Sequence, residues 1–301
     1  MYVLFIFIFL FTLPTIESSR CSKECKFKDF QLNSSFPSDF CSISKSNNDI
    51  NQRCRVELTI DFTTGLVNGS FNTENQSSLV SNKLDIRSIF SLNDISVKVT
   101  IRYYCSVSDY CDLDFVRETL SSNWSTVEVQ SIREKLASHL YDPNNIDPIK
   151  CFSNDSCPQN ESLCFVSYVY WEWNKDLTVS GTCRDSISTP RLLWSQSYEG
   201  GGIWRSLTEI GLYYCNTPTC GYNTSAIEIF QRLSREYILP LNLSLINTTT
   251  TTTPKPTETT SSTITSTIRV TTASNHATSL FGHFFNTIII FFAIIKYFLI
   301  N

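Results

Sequence analysis

Apolar and polar residues alternate cleanly in two stretches of the first half of the chain. Arg55-Val56-Glu57-Leu58-Thr59-Ile60-Asp61-Phe62 and Ile95-Ser96-Val97-Lys98-Val99-Thr100-Ile101-Arg102-Tyr103 each place an apolar side chain at every second position. A period of two predicts half-buried strands. Gly65, Asn68 and Gly69 mark turns between them. The pattern then changes to a helical one. A short helix is expected over Asp112–Leu120, and a second carries Val129, Ile132, Leu136 and Leu140 on one face. Ser125-Thr126-Val127-Glu128 has the form of a capping box that would open this second helix. Asp142-Pro143 and Asp147-Pro148 end it.

The same order returns further along. A strand is expected over Phe165–Trp173, a turn at Gly181-Thr182-Cys183, a loop at Glu199-Gly200-Gly201-Gly202, a strand ending at Tyr214-Cys215, and a helix after Cys220. The two halves share a spelling. Tyr103-Tyr104-Cys105 is followed by Cys111 and a helix, and Tyr213-Tyr214-Cys215 by Cys220 and a helix. Such self-similarity suggests a duplicated unit. The expected fold class is β-rich α+β, with two tandem disulfide-stapled extracellular modules. Each has strands followed by a C-terminal helix, and a disordered Thr-rich stalk comes after both. The expected boundaries are 1–18 for a signal peptide, 19–146 and 147–246 for the modules, 247–273 for the stalk and 274–301 for a C-terminal attachment segment.

The ends of the chain support an extracellular reading. Tyr2 to Leu13 is an almost unbroken run of Phe, Leu and Ile, followed by Pro14 and the small residues Ser18 and Ser19, as in a secretory signal peptide. The run is too short for a signal anchor that spans a bilayer. Thr248 to Thr272 is Thr-rich and broken by Pro254 and Pro256, a composition that cannot bury a core and that favours O-glycosylation. Small residues at Ala273–Ala277, a spacer and an apolar tail over 284–300 match a GPI-attachment signal with Ser274 or Asn275 as acceptor. A single transmembrane helix with Lys296 snorkelling is the alternative. Asn-x-Ser/Thr sites occur at Asn33, Asn68, Asn75, Asn123, Asn154, Asn160, Asn223, Asn242 and Asn247. The expected location is the outer face of the plasma membrane.

The chain has 301 residues, 12 cysteines and a net charge of −4, with no long basic run, so nucleic acid is not an expected partner. The cysteines form no Cys-x-x-Cys pair and histidines are scarce, which favours disulfides over a metal site. Laying one half on the other matches Cys54 with Cys164, Cys41 and Cys25 with Cys157 and Cys151, and Cys105 and Cys111 with Cys215 and Cys220. Cys21 and Cys183 are then left over, with Phe71 at the place of Cys183. Six cysteines allow fifteen pairings. If matched cysteines pair alike, the bridges are Cys105–Cys111, Cys215–Cys220, Cys25–Cys54, Cys151–Cys164, Cys21–Cys41 and Cys157–Cys183.

Cys157, Cys164-Phe165-Val166, Gly181-Thr182-Cys183 and Tyr214-Cys215 with Cys220 together resemble the three-finger fold of the lymphocyte-antigen and urokinase-receptor family. The resemblance covers residues 151–220. It implies a small extracellular β-fold, in a family that is often GPI-anchored and sometimes in tandem.

No catalytic motif, phosphate loop or dinucleotide fingerprint occurs in the sequence, and no cofactor is expected. Gly200-Gly201-Gly202 lacks a following Lys-Ser/Thr and reads as a hairpin loop. His139 reads as a solvated surface residue. Asp112 and Asp114 suit a helix start and Asp109 lies just before it, so neither calcium nor acid–base chemistry is required. Aromatic side chains are the better candidates for contact, because they dominate binding hot spots. Alternation puts Tyr168, Tyr170 and Glu172 on one face of a strand, and Val169, Trp171 and Trp173 on the other, so the strand is either covered on both sides or has one exposed aromatic face. Core packing is the favoured reading of the two, because large aromatics are mostly buried. Trp194 and Trp204, in the expected loop region, are the tryptophans expected to be most exposed. The function class is a non-enzymatic, membrane-tethered glycoprotein ectodomain that binds a protein or glycan. A protective coat glycoprotein is the alternative, and an ectoenzyme has no motif in its favour.

Overall fold

The computed structural model describes residues 20–22, 25–37, 41, 52–75, 82–106, 108–145, 147–152, 155–157, 163–184, 189–201 and 204–246. The signal peptide, stalk and attachment segment lie outside the described residues. So do Asn154, Asn160, Asn247, Ser274, Asn275 and the side chain of Trp204. All the described residues fall in one unit, Met1–Thr252.

Among the described residues there are eleven strands: β1 (Lys26–Gln31), β2 (Gln52–Asp61), β3 (Leu66–Asn75), β4 (Asn82–Ser91), β5 (Val97–Cys105), β6 (Lys150–Cys151), β7 (Asp155–Ser156), β8 (Leu163–Trp171), β9 (Asp176–Arg184), β10 (Arg191–Gly201) and β11 (Trp204–Cys215). Three α-helices of the described residues accompany them: α1 (Cys111–Ser121), α2 (Val129–Leu140) and α3 (Asn223–Glu236). Nine strands form one antiparallel sheet in the order β1-β3-β2-β5-β4-β10-β11-β8-β9, and β6 and β7 pair separately. The fold is β-rich with few helices and is stapled by disulfides.

The order β3-β2-β5-β4 in the first half recurs as β9-β8-β11-β10 in the second, and both halves share one sheet through β4 and β10. Register makes the correspondence residue by residue. Cys54 faces Cys105 across β2 and β5, and Cys164 faces Cys215 across β8 and β11. Counting from these pairs, Arg87 of β4 and Ser195 of β10 hold the same place, and they face each other at the joint. The two halves therefore meet edge to edge about a local two-fold.

One face of the sheet is buried under the helices. The alternation in β2 and β5 buries Val56, Leu58, Ile60, Val97, Val99 and Ile101 on that face. In α2 the buried residues are Val129, Ile132, Leu136 and Leu140, the four apolar positions of its pattern. The helix starts at Val129 rather than at the Ser125 motif. Asn123 instead caps a single 3₁₀ turn over Trp124–Thr126, accepting from the amide and hydroxyl of Ser125. Tyr103 stacks on Phe115 of α1 at 4.3 Å between centroids, and the Tyr213 hydroxyl donates to the Cys220 carbonyl at 2.7 Å. In both halves the first tyrosine of Tyr-Tyr-Cys is thus a core residue under a helix.

Several expectations are corrected. Only Gly65 of the expected turn residues sits in a turn, with φ 70°, while Asn68 and Gly69 run inside β3. Gly69 lies under the Phe27 ring, which would be 2.2 Å from an added Cβ. Gly181-Thr182-Cys183 is mid-strand in β9, and Trp194 and Trp204 lie on β10 and β11 rather than in a loop. Among the cysteines, Cys21–Cys54 and Cys25–Cys41 replace the expected Cys25–Cys54 and Cys21–Cys41. Cys105–Cys111, Cys151–Cys164, Cys157–Cys183 and Cys215–Cys220 complete the set. The residue opposite Cys54 on β3 is Thr73, where β9 has Cys183 opposite Cys164 of β8, so Phe71 is not the counterpart. Matched cysteines do pair alike once Cys21 is aligned with Cys151 and Cys25 with Cys157. Cys41 and Cys183 are then the two without counterparts, and each bridges to the same matched position.

Candidate interaction surface

The sheet face away from the helices differs sharply between the halves. In the first half it is closed by charge. Glu57 of β2 accepts from Arg102 at 2.8 Å and from Arg55 at 3.1 Å, and Lys98 lies 3.5 Å from Asp61. Burial alone would raise the Glu57 carboxyl, but hydrogen bonds and charge from Arg102 and Arg55 outweigh it and hold the group below its usual range. The second tyrosine of the motif, Tyr104, lies beneath the Arg53 and Arg55 guanidinium groups at 4.5 and 5.7 Å and is only 8% exposed. At the joint, Lys83 adds pairs to Glu199 at 3.1 Å and Asp85 at 3.5 Å.

The second half carries apolar side chains at most of the same positions, although Glu57 and Lys98 correspond to Ser167 and Thr208. By register, Arg55, Thr59, Asp61, Thr100 and Arg102 correspond to Phe165, Val169, Trp171, Ile210 and Leu212. Tyr214, the counterpart of Tyr104, has Phe165 beside it at 5.1 Å in place of an arginine. Phe165, Val169, Trp171, Leu212 and Tyr214 are half-buried, and Ile210 is 38% exposed. Leu193 of β10 and Ile89 of β4 face each other and extend the patch across the joint. Trp173, in the turn after β8, is 73% exposed at its rim. A contiguous apolar face of this kind, beside a polar one, is what marks interaction sites on protein surfaces.

The tryptophans separate. Trp171 and Trp173 belong to this open face. Trp194 does not: it is 1% exposed on the opposite face, stacked on Phe230 of α3 at 5.4 Å with an interplanar angle of 16°. Alternation along β10 points it inward, where α3 covers it. The signal that would have found the site is the comparison of matched strands position by position, with Arg55 against Phe165 as the clearest case.

The glycosylation sequons fall elsewhere. Asn68 lies on the open face of the first half, where its side chain accepts from the Asp29 amide at 3.0 Å. Asn33 and Asn123 are exposed in turns and Asn75 at the end of β3. Asn223 begins α3, and Asn242 donates to Glu118 at 2.6 Å. Among the described residues, no sequon lies on the open face of β8–β11.

The acidic residues near Cys111 have structural partners. Asp109 takes the Arg20 amide at 2.8 Å and its Nε at 2.7 Å. Asp114 lies 3.5 Å from Arg117. Asp112 is fully buried at the start of α1 and accepts from the Ser22 amide at 3.0 Å and hydroxyl at 3.4 Å. Burial pushes its carboxyl up to about 6, against the lowering pull of the Ser22 and Leu113 amides. His139 is exposed on α2 and lines a groove of about 480 Å³ between α2 and α3, with Lys135, Glu228 and Arg232. Among the described residues, no helix is long and apolar enough to cross a membrane. No known protein family, no curated protein and no solved structure matches the chain.

Proposed function

We propose that this chain is a non-enzymatic, membrane-tethered glycoprotein ectodomain that binds a protein partner through the open face of β8, β10 and β11. The observation that carries the reading is the substitution of Phe165, Trp171, Ile210 and Leu212 for Arg55, Asp61, Thr100 and Arg102 at matched places of one repeated topology. A duplicated module explains the repeat. One copy has kept a solvated, ion-paired face, and the other presents apolar surface free of sequons. Six disulfides suit an oxidising, extracellular setting. The signal peptide would direct the chain into the secretory pathway, and the Thr-rich stalk and a GPI anchor at Ser274 or Asn275 would hold the folded part away from the membrane. This is also the class of protein that the three-finger resemblance implies.

Two experiments test it. Phosphatidylinositol-specific phospholipase should release the full-length protein from the cell surface, and retention would assign the tail to a transmembrane span. Proximity labelling on cells should give a set of neighbours that is lost in Ile210→Glu and kept in Thr100→Glu, the matched position of the first half. Identical neighbours for the wild type and both variants would favour the protective-coat reading.

A further inference from the structure

The nine-stranded sheet ends at β1 on one side and β9 on the other. Every sheet edge exposes unpaired amides and carbonyls, and monomeric proteins blunt such edges with bulges, charge or short strands. β1 is blunted in all three ways. It has six residues, Lys26 and Lys28 among them, and its register with β3 is interrupted between Phe27 and Phe30, where Asp29 takes φ 54°. β1 itself covers β3, the counterpart of β9. The β9 edge has no such device. Its register with β8 runs without interruption from Asp176 to Arg184, and Leu177–Cys183 contains no charge and no proline. Thr178, Ser180 and Thr182 are exposed along it. Among the described residues, no strand pairs with this edge.

The strand is also complementary to itself. If two copies of β9 pair antiparallel about Ser180, Thr178 meets Thr182 and Asp176 meets Arg184, at both ends of the ladder. Opposite charges directly across an antiparallel pair are favourable, and Thr–Thr pairs add side-chain contact. Val179 then meets Gly181 and Leu177 meets Cys183, so large side chains lie opposite small ones. The molecule already uses this arrangement once, since β4 and β10 join matched edges about Arg87 and Ser195.

We infer that the protein forms a symmetric homodimer through β9, centred on Ser180. The two-fold lies perpendicular to the sheet, so both sets of helices stay on one side and both apolar faces open on the other. The dimer presents two copies of the binding face in the same direction, which gives avidity towards a partner that is itself multivalent. The dimer does not depend on the identity of any partner or on the anchor type.

The test uses the full-length chain expressed in cells with two different tags. Ser180→Cys should give a reducible band of doubled mass, because residues opposite each other across a ladder have Cα atoms about 4.5–5.5 Å apart, within disulfide reach. Thr182→Cys alone should not, but it should cross-link to a co-expressed Thr178→Cys chain. Asp176→Arg and Arg184→Asp should each lower self-association about tenfold or more, since each variant sets like charges opposite at both ends. Co-expressed, the two variants should bind each other, because each then supplies the charge that the other lacks. The inference is overturned if Ser180→Cys yields no doubled band, or if self-association survives both charge reversals.

Discussion

Phe230 is the centre of a cluster of four aromatic rings, and one glycine makes room for it. Its ring lies 5.4 Å from Trp194, 4.8 Å from Tyr168 and 5.7 Å from Tyr213. Gly211 sits beneath it on β11, where an added Cβ would be 2.1 Å from Phe230 Cε1. No Cβ survives at that distance, so Gly211→Ala must push α3 off the sheet, at a cost of about 1–3 kcal/mol for an overpacked core. Phe230→Ala alone should cost about 3–5 kcal/mol, from lost burial and the cavity left behind. In the double variant the sign of the glycine change should reverse. The clash is gone, the methyl fills part of the cavity, and alanine restricts the unfolded chain, a gain of about 0.4–1 kcal/mol. The expected coupling is therefore roughly 2 kcal/mol or more, opposite in sign to simple addition. Denaturant unfolding of the disulfide-intact protein, followed by far-UV circular dichroism, measures it. If Gly211→Ala destabilises as much in the Phe230→Ala background as alone, the close approach of ring and backbone is not what fixes a glycine here.

The pH dependence of stability should carry the signature of Asp112. Its folded carboxyl is raised to about 6 from an ordinary 3.8, so the folded state holds that proton more tightly than the unfolded one. The stabilisation is complete below the ordinary value and is lost as pH rises through about 6, a change of about 3 kcal/mol that Asp112→Asn should flatten. Denaturation midpoints across that range that do not fall with pH would count against the burial of this carboxyl at the start of α1. Peptide mapping without reduction should recover fragments joined through Cys21–Cys54 and Cys25–Cys41, and a Cys25–Cys54 fragment would overturn that pairing. Finally, Trp173→Ala should alter stability by no more than about 0.5 kcal/mol, whereas Trp194→Ala should cost about 3–5 kcal/mol; equal losses would contradict their placement on opposite sides of the sheet.

Local patterns identified most of the elements they touched. The alternation in β2 and β5 and the apolar stripe of α2 carry their own burial, because period fixes which side chains share a face. β3 and β4 carry local patterns that hide their strand character. In β3, Asn68-Gly69 resembles a turn, yet the glycine is there for the Phe27 ring, a contact from another strand. In β4, Leu84, Ile86 and Phe90 alternate, but the inward residue between them is Ser88, which breaks the pattern. The cysteine pairing departs from the expected one only in the first half. The order of cysteines along the chain matches Cys25 with Cys151, whereas the structure places Cys21 there.

The sequence by itself determined the strand and helix character of these segments, the repeat and the use of every cysteine, since each depends on spacing along the chain or on composition. Tertiary structure alone decided that the two halves share one sheet, that β1 covers one edge and leaves β9 open, and that Trp194 is core while Trp171 faces solvent. Those outcomes depend on which edge meets which and which face the helices cover. Strand pairing is non-local, and a period of two says only that a strand has two faces. It does not say which one the rest of the chain will bury.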